Sequence, residues 1–271
     1  MEYILENEKA KLIISSHAAE IHSFTLKDKP FEYMWQGDPA YWAGRNPILF
    51  PQVNCVSDHI NIYKGKEYTM GNHGFARNSE FDCVSHSDDT LVLSLRENEE
   101  TLLMYPYRFE LKVTYTLEET TLFILYEITN NNEEDMPFGF GLHPAFACPV
   151  DPSKKMEDYE FLFDEDEDVP FIENRRVRVS HGFLDPDDKF IPERKSHFIS
   201  MSDGENGVRV EVEGWKMVMF WSKPGASYAC IEPWMFTQKK DELGIPFEKK
   251  KDVLILGSGE HFMIGTSYRI F

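Results

Sequence analysis

No stretch of this chain approaches the roughly 20 consecutive apolar residues of a membrane-spanning helix. The opening Met1-Glu2-Tyr3-Ile4-Leu5-Glu6 has no basic region leading into an apolar run. Neither a membrane span nor a leader segment is expected, and a cytoplasmic location follows. Cysteine is scarce as well. The four cysteines, Cys55, Cys83, Cys148 and Cys230, are widely separated and form no C-x-x-C pair, which argues against zinc ribbons and dithiol redox chemistry. Reduced, partly buried thiols without a catalytic role are the expectation. Basic residues are in deficit: 28 Lys and Arg against 47 Asp and Glu leave a formal net charge of -19. Nucleic acid and anionic membranes would be repelled, so a small neutral or locally captured ligand is the better partner. Internal repeats and low-complexity linkers are lacking too, which favours one domain over residues 1–271.

What the chain does have is apolar and aromatic mass, 42% and 14% of its 271 residues, enough to bury a large core. Its patterning is that of strands. Glu20 to Leu26 alternates apolar and polar residues, and with Lys11 to Ser15 and Phe31 to Trp35 it suggests an antiparallel meander. Trp42 to Pro51 carries two prolines and reads as an irregular, well-packed loop. Tyr107 to Leu117 alternates almost without error and pairs naturally with Thr121 to Thr129 as a hairpin. The acidic run Glu157 to Asp168 lacks EF-hand spacing and reads as a solvated surface segment. Beyond it, Asp185-Pro186-Asp187-Asp188 suits the start of a short helical turn. Strands resume at Gly207 to Glu213, Lys216 to Trp221 and Tyr228 to Ile231, the last ending at Glu232, and a pair around Val253 to Leu256 and His261 to Ile270 closes the chain.

Three short stretches set a titratable or charged side chain among glycine, proline and aromatic residues. In Gly141-Leu142-His143-Pro144 the glycine allows close backbone approach and the proline stiffens the exit. His143 is a candidate proton carrier there, and equally a hydrogen-bonded core histidine. In Gly71-Asn72-His73-Gly74-Phe75-Ala76-Arg77 a histidine and a permanent cation stand close together. The pair could bind hydroxyls or an anion, or form a turn with a structural salt bridge. In Ile231-Glu232-Pro233-Trp234 a partly desolvated carboxylate could act as general base, or be an ion-paired residue at a strand end.

Together these stretches resemble the aldose 1-epimerase (galactose mutarotase) family, in its LacX-like bacterial branch. The similarity runs in order through Pro47-Ile48-Leu49-Phe50-Pro51, Gly65-Lys66-Glu67-Tyr68, His73-Gly74-Phe75-Ala76-Arg77, Gly141-Leu142-His143-Pro144-Ala145-Phe146, Trp221-Ser222-Lys223-Pro224 and Cys230-Ile231-Glu232-Pro233-Trp234. The resemblance implies an all-β fold, a large twisted antiparallel β-sandwich with few short helices and a sugar cleft on the sheet. It implies cofactor-free interconversion of the α and β anomers of a hexose or hexose phosphate, with no metal, by a monomer or dimer. It carries the role of base to Glu232 and of acid to His143, with His73 binding the sugar.

The chain also departs from the family. The Leu-Phe-Pro segment usually continues into a Gly-Arg pair, whereas here it continues as Gln52-Val53-Asn54. Arg45 is the expected replacement, with Arg77 as a second substrate-binding cation. Asp241 is the nearest candidate for the aspartate that many galactose mutarotases use on sugar hydroxyls. The missing pair motivates an alternative, a non-catalytic carbohydrate-binding or sugar-sensing protein on the same fold. A further alternative treats His73, His143 and Glu232 as a two-histidine, one-carboxylate metal site. Trp42, Phe50, Phe75, Trp221 and Trp234 could stack on a sugar ring, although core packing is the simpler role for each.

Overall fold

A computed structural model describes residues 1–185 and 189–271 of the chain. Its centre is the hairpin whose alternation is so regular in the sequence. Phe109–Glu118 turns Phe109, Leu111, Val113, Tyr115 and Leu117 inward, and pairs with Thr121–Asn130 through a tight turn in which Glu119 adopts φ +53°. Ten residues of unbroken alternation on each strand make the register unambiguous, because a slip of one would turn the apolar set to solvent.

Among the described residues this hairpin lies within a nine-stranded antiparallel sheet. The order is Arg176–Arg178, Glu160–Phe163, Phe198–Ser202, Gly207–Glu211, His261–Ile270, Thr121–Asn130, Phe109–Glu118, Thr90–Arg96 and Asp82–His86. A six-stranded sheet faces it, in the order Phe190–Ile191, Met217–Trp221, Tyr228–Trp234, Gly141–Leu142 and Ile48–Leu49, with Ala145–Ala147 also pairing on Tyr228–Trp234. Rings from the two layers interlock. Phe146 meets Tyr268 with centroids 5.3 Å apart, Phe161 meets Phe220 at 4.8 Å, and Phe50 meets Phe109 at 4.9 Å. Such aromatic pairs add roughly 0.5–1.5 kcal/mol each beyond their area burial. The result is the all-β sandwich expected from the sequence, and no helix among the described residues is long and apolar enough to cross a membrane.

Several local expectations change. Phe31 to Trp35 makes isolated bridges, not a strand. The half-buried carboxylate of Glu32 accepts from the Phe24 and Met34 N–H groups, and the Trp35 N–H donates to the Ala145 carbonyl, so the segment straps one sheet to another. The two closing strands do not pair with each other. Leu254–Leu256 pairs with Met136–Phe138, whereas His261–Ile270 pairs with Thr121–Asn130 and Gly207–Glu211. The acidic segment is not wholly solvated: its Glu160–Phe163 joins the nine-stranded sheet, and buried Glu167 accepts from the Lys195 and Ser196 N–H groups. The expected helical turn from Asp185 lies largely at Pro186 to Asp188, outside the described residues, and a short helix precedes it at His181–Leu184.

Most important for the site, Tyr228–Trp234 does not end at Glu232. Pro233 is accommodated inside the strand because it falls between two stretches of neighbouring chain, Ala145–Ala147 opposite residues 228–230 and Gly141 opposite Trp234. A missing N–H there costs no ladder bond on that side.

The loop from Gly71 to Arg77 is tied to the core by one carbonyl. The Phe75 and Ala76 N–H groups donate to the Phe50 oxygen at 3.0 and 3.2 Å, and Gly74, at φ +75°, lies so close that a Cβ would sit 2.2 Å from that oxygen. Gly74→Ala should therefore lose at least about 2 kcal/mol in denaturant unfolding, from backbone strain and the clash together. Gly71→Ala meets nothing within 4 Å and should cost well under about 1 kcal/mol; equal losses would contradict this account.

Candidate active site

Alternation along Tyr228–Trp234 puts Tyr228, Cys230, Glu232 and Trp234 on one face. Glu232 and Trp234 on that face line a cavity of about 550 Å³, while Tyr228 and Cys230 are buried beside it. Glu232 is 1% exposed and points toward His143, whose Nδ1 lies 3.5 Å from Glu232 Oε1. His143 follows directly on the strand Gly141–Leu142, and its N–H donates to the Pro47 carbonyl. Glycine is needed just before it, since a Cβ at Gly141 would meet the Trp234 ring at 2.7 Å. The imidazole is held among rings, 4.7 Å from Trp42 at a 32° tilt and 5.3 Å from Trp221 edge-on. Its Nδ1 is buried without a hydrogen-bond partner.

His73 enters from the adjacent loop at φ +66°, with its ring 5.7 Å from that of His143 and nearly perpendicular to it. The Asn54 N–H donates to His73 Nδ1 at 3.1 Å. An acceptor at Nδ1 places the ring proton on Nε2, so this histidine is set as a donor. Arg77, on the short 3-10 turn Ala76–Asn78, also lines the cavity. Burial disfavours its charge, and the carboxylates of Glu20 and Glu232 favour it.

Both histidines are kept neutral. Burial, reinforced by the Arg77 cation, pushes His73 down to about 3. Burial acts most strongly on His143 too, aided by His73 and Arg77, and holds it well below the ordinary imidazole range. A neutral imidazole offers one N–H and one lone pair.

The structure thus brings together Glu232, His143, His73 and Arg77. Arg45 lies elsewhere: its Nη1 donates to the His22 carbonyl, and it does not line the cavity. Asp241 is exposed and likewise away from the lining. Of the aromatic candidates, Trp42, Trp221 and Trp234 border the cavity, while Phe50 and Phe75 pack in the core.

Other lining residues carry no mark in the sequence. Asn54 donates through Nδ2 to Thr237 Oγ1, and both face the cavity, as do Gln238 and Lys239. Behind them Gln238 Nε2 donates to Gln52 Oε1 and Asn61 Oδ1, and Gln52 Nε2 donates to the Gly71 carbonyl. Buried Lys250 closes this chain of amides by donating to Gln238 Oε1. Burial lowers the Lys250 amine to about 8. The one signal in the sequence is the departure at Gln52-Val53-Asn54. Among the described residues, the metal-competent grouping is His143, Cys230 and Glu232, with Cys230 where His73 was expected.

The sequence model of the Aldose 1-epimerase family matches residues 1–268. The plasmid-encoded protein LacX of Lactococcus lactis subsp. lactis is 30% identical over 277 aligned residues, 92% of each chain. A galactose mutarotase related enzyme from Lactobacillus acidophilus superposes with a TM-score of 0.90 at 30% identity, covering 100% of this chain and 97% of its own. A galactose mutarotase-like protein from Lactobacillus casei superposes at 0.92 with 25% identity, covering 100% of both chains.

Neutral burial of His73 has a cost in acid. Above the unfolded value of about 6.5 neither state binds the proton, and stability is whole. As the pH falls below it the unfolded chain takes up a proton that the folded ring refuses until about 3, so stability declines by up to about 1.4 kcal/mol per unit. Denaturant unfolding at pH 7 and pH 5 should therefore show His73→Asn losing about 2 kcal/mol less than the parent over that interval. Identical losses would mean that the ring is free to protonate.

Proposed function

The chain belongs to the aldose 1-epimerase family, and from that premise we propose that it interconverts the α and β anomers of an aldose by acid–base ring opening. Glu232 and His143 move the protons, and His73 and Arg77 hold the sugar. The observation that carries this reading is the contact between Glu232 Oε1 and His143 Nδ1, 3.5 Å apart on the floor of a cavity large enough for a hexose.

Ring opening needs a proton taken from the anomeric hydroxyl and one delivered to the ring oxygen as the bond from C1 to that oxygen breaks. Glu232 takes the first. The neutral His143 ring can release a proton from one nitrogen only if the other receives one, and Glu232 lies beside Nδ1. The proton removed from the sugar then passes from Glu232 to Nδ1, while the opposite nitrogen protonates the ring oxygen. Rotation about the bond from C1 to C2 presents the other face of the aldehyde, and the same steps in reverse close the ring. The pair's summed charge is the same before and after opening, which suits two buried groups in a cavity bordered by Trp42, Trp221 and Trp234. His73 contributes its Nε2–H, and Arg77 a fork of donors.

Each proton transfer is worth about 10²- to 10⁴-fold. Polarimetry on freshly dissolved α-D-glucose and α-D-galactose should show Glu232→Gln and His143→Asn each lowering kcat by about that factor. The double variant should fall little further than either single, because the two act as one unit. Exchange no faster with the parent than with Glu232→Gln, for these sugars and their 6-phosphates, overturns the reading. Calorimetric sugar binding without exchange would instead mark a carbohydrate-binding protein on the same fold.

A further inference from the structure

Beneath the cavity three different donor atoms converge: a ring nitrogen of His143, the thiol of Cys230 and a carboxylate oxygen of Glu232 lie within 4.8 Å of one another. We infer that this cluster binds a borderline divalent cation, Zn²⁺ in preference to Mg²⁺ or Ca²⁺, and that its occupancy blocks the acid–base pair. The inhibitory half of this inference rests on the function proposed above; the binding half does not.

The placement is dictated by the strands. Cys230 and Glu232 are two residues apart on Tyr228–Trp234 and so share one face of the strand, of which Glu232 reaches the cavity. The register that pairs Ala145 with Cys230 brings His143, two residues earlier, over the same spot. The separation between His143 and Glu232, 3.5 Å, already matches the edge of a tetrahedron with metal bonds of about 2.0–2.1 Å. The Cys230 sulfur lies within 4.8 Å of a donor atom of each and would have to draw closer to complete the face. The fourth position faces the cavity, where water or a sugar hydroxyl can occupy it.

The chemistry of the donors selects the ion. One nitrogen, one sulfur and one oxygen suit zinc or cobalt, whereas magnesium and calcium require oxygen. His143 offers a buried Nδ1 that has no hydrogen-bond partner. A metal takes cysteine as the thiolate, not the thiol. Binding therefore breaks the S–H bond, forms a metal–sulfur bond and releases one proton to solvent. Thiolate, carboxylate and a divalent ion sum to zero charge, the state a buried site tolerates best. The net charge of -19 favours approach of the cation.

Co²⁺ titrated into the metal-free full chain, without sugar, reads the site directly. The expected result is one Co²⁺ per chain, visible d–d bands of a four-coordinate ion and a near-ultraviolet thiolate-to-cobalt band, with affinity rising with pH. Zn²⁺ should displace Co²⁺, inhibit anomer exchange competitively with sugar, and be reversed by chelator. Cys230→Ala should lose the thiolate band and weaken Zn²⁺ inhibition at least tenfold while keeping its basal exchange rate. Cys230→Ser, closer in size, should lose the band likewise if the alanine variant unfolds more readily. Absence of the thiolate band in the parent, or equal Zn²⁺ inhibition of parent and Cys230→Ala, overturns the inference. A chain that shows the Co²⁺ spectrum but exchanges no anomers would remove the proposed function and leave the metal site standing.

Discussion

The Phe50 carbonyl is the point through which the core governs the site. Its ring is fixed among Phe109, Phe138, Tyr105 and Phe75, so its oxygen has no freedom to move. That oxygen accepts from the Phe75 and Ala76 N–H groups and leaves no space beside Gly74. His73 and Arg77, on either side, are therefore positioned by sandwich packing although they sit on a loop. The other side of the site is fixed in the same way: Glu232 stands inside a buried strand of the six-stranded sheet, and His143 follows directly on a neighbouring one. Pre-organisation of this kind is what acid–base chemistry needs, because a shift of 1 Å can cost about a hundredfold in rate.

Part of this arrangement is legible in the residues alone. The long hairpin can be read because its inward positions, Phe109 through Leu117, carry a period of two without interruption. His73, His143 and Glu232 stand out as polar titratable residues among glycine, proline and aromatic neighbours, although each alone has a structural reading as good as the functional one. The ordered family segments then supply what spacing alone does not, namely that the three stretches meet. The convergence itself rests on pairings between residues nearly a hundred apart, such as Gly141 with Trp234.

What is not legible has physical causes that differ by residue. Pro233 reads as a strand terminator, and only the change of neighbour on one side of the strand shows why it is tolerated. The closing strands follow one another in sequence, yet each finds its partner elsewhere in the fold. Asn54, Thr237 and Gln238 carry no local pattern, because a hydrogen-bonded wall is assembled from separate segments. Arg45 is suggested by analogy alone, and its side chain turns to the His22 carbonyl. Cys230 looks inert by spacing, and its nearness to His143 and Glu232 appears only in the folded chain.

A chain so acidic overall nevertheless places a cation in the cavity beside two histidines. Arg77 cannot lose its proton under ordinary conditions, and its charge opposes protonation of both His73 and His143. Burial pushes in the same direction and is the larger effect at each ring. Two neutral imidazoles beside a carboxylate form a set in which protons can be relocated without creating a second cation next to Arg77. An imidazolium at His143 would have to be built in a buried position, 5.7 Å from the His73 ring and within the field of that arginine. Moving a proton through the ring, from one nitrogen to the other, avoids this state. The same neutrality makes His143 an available ligand, so the features that suit proton relay at this site also suit capture of a zinc-like ion.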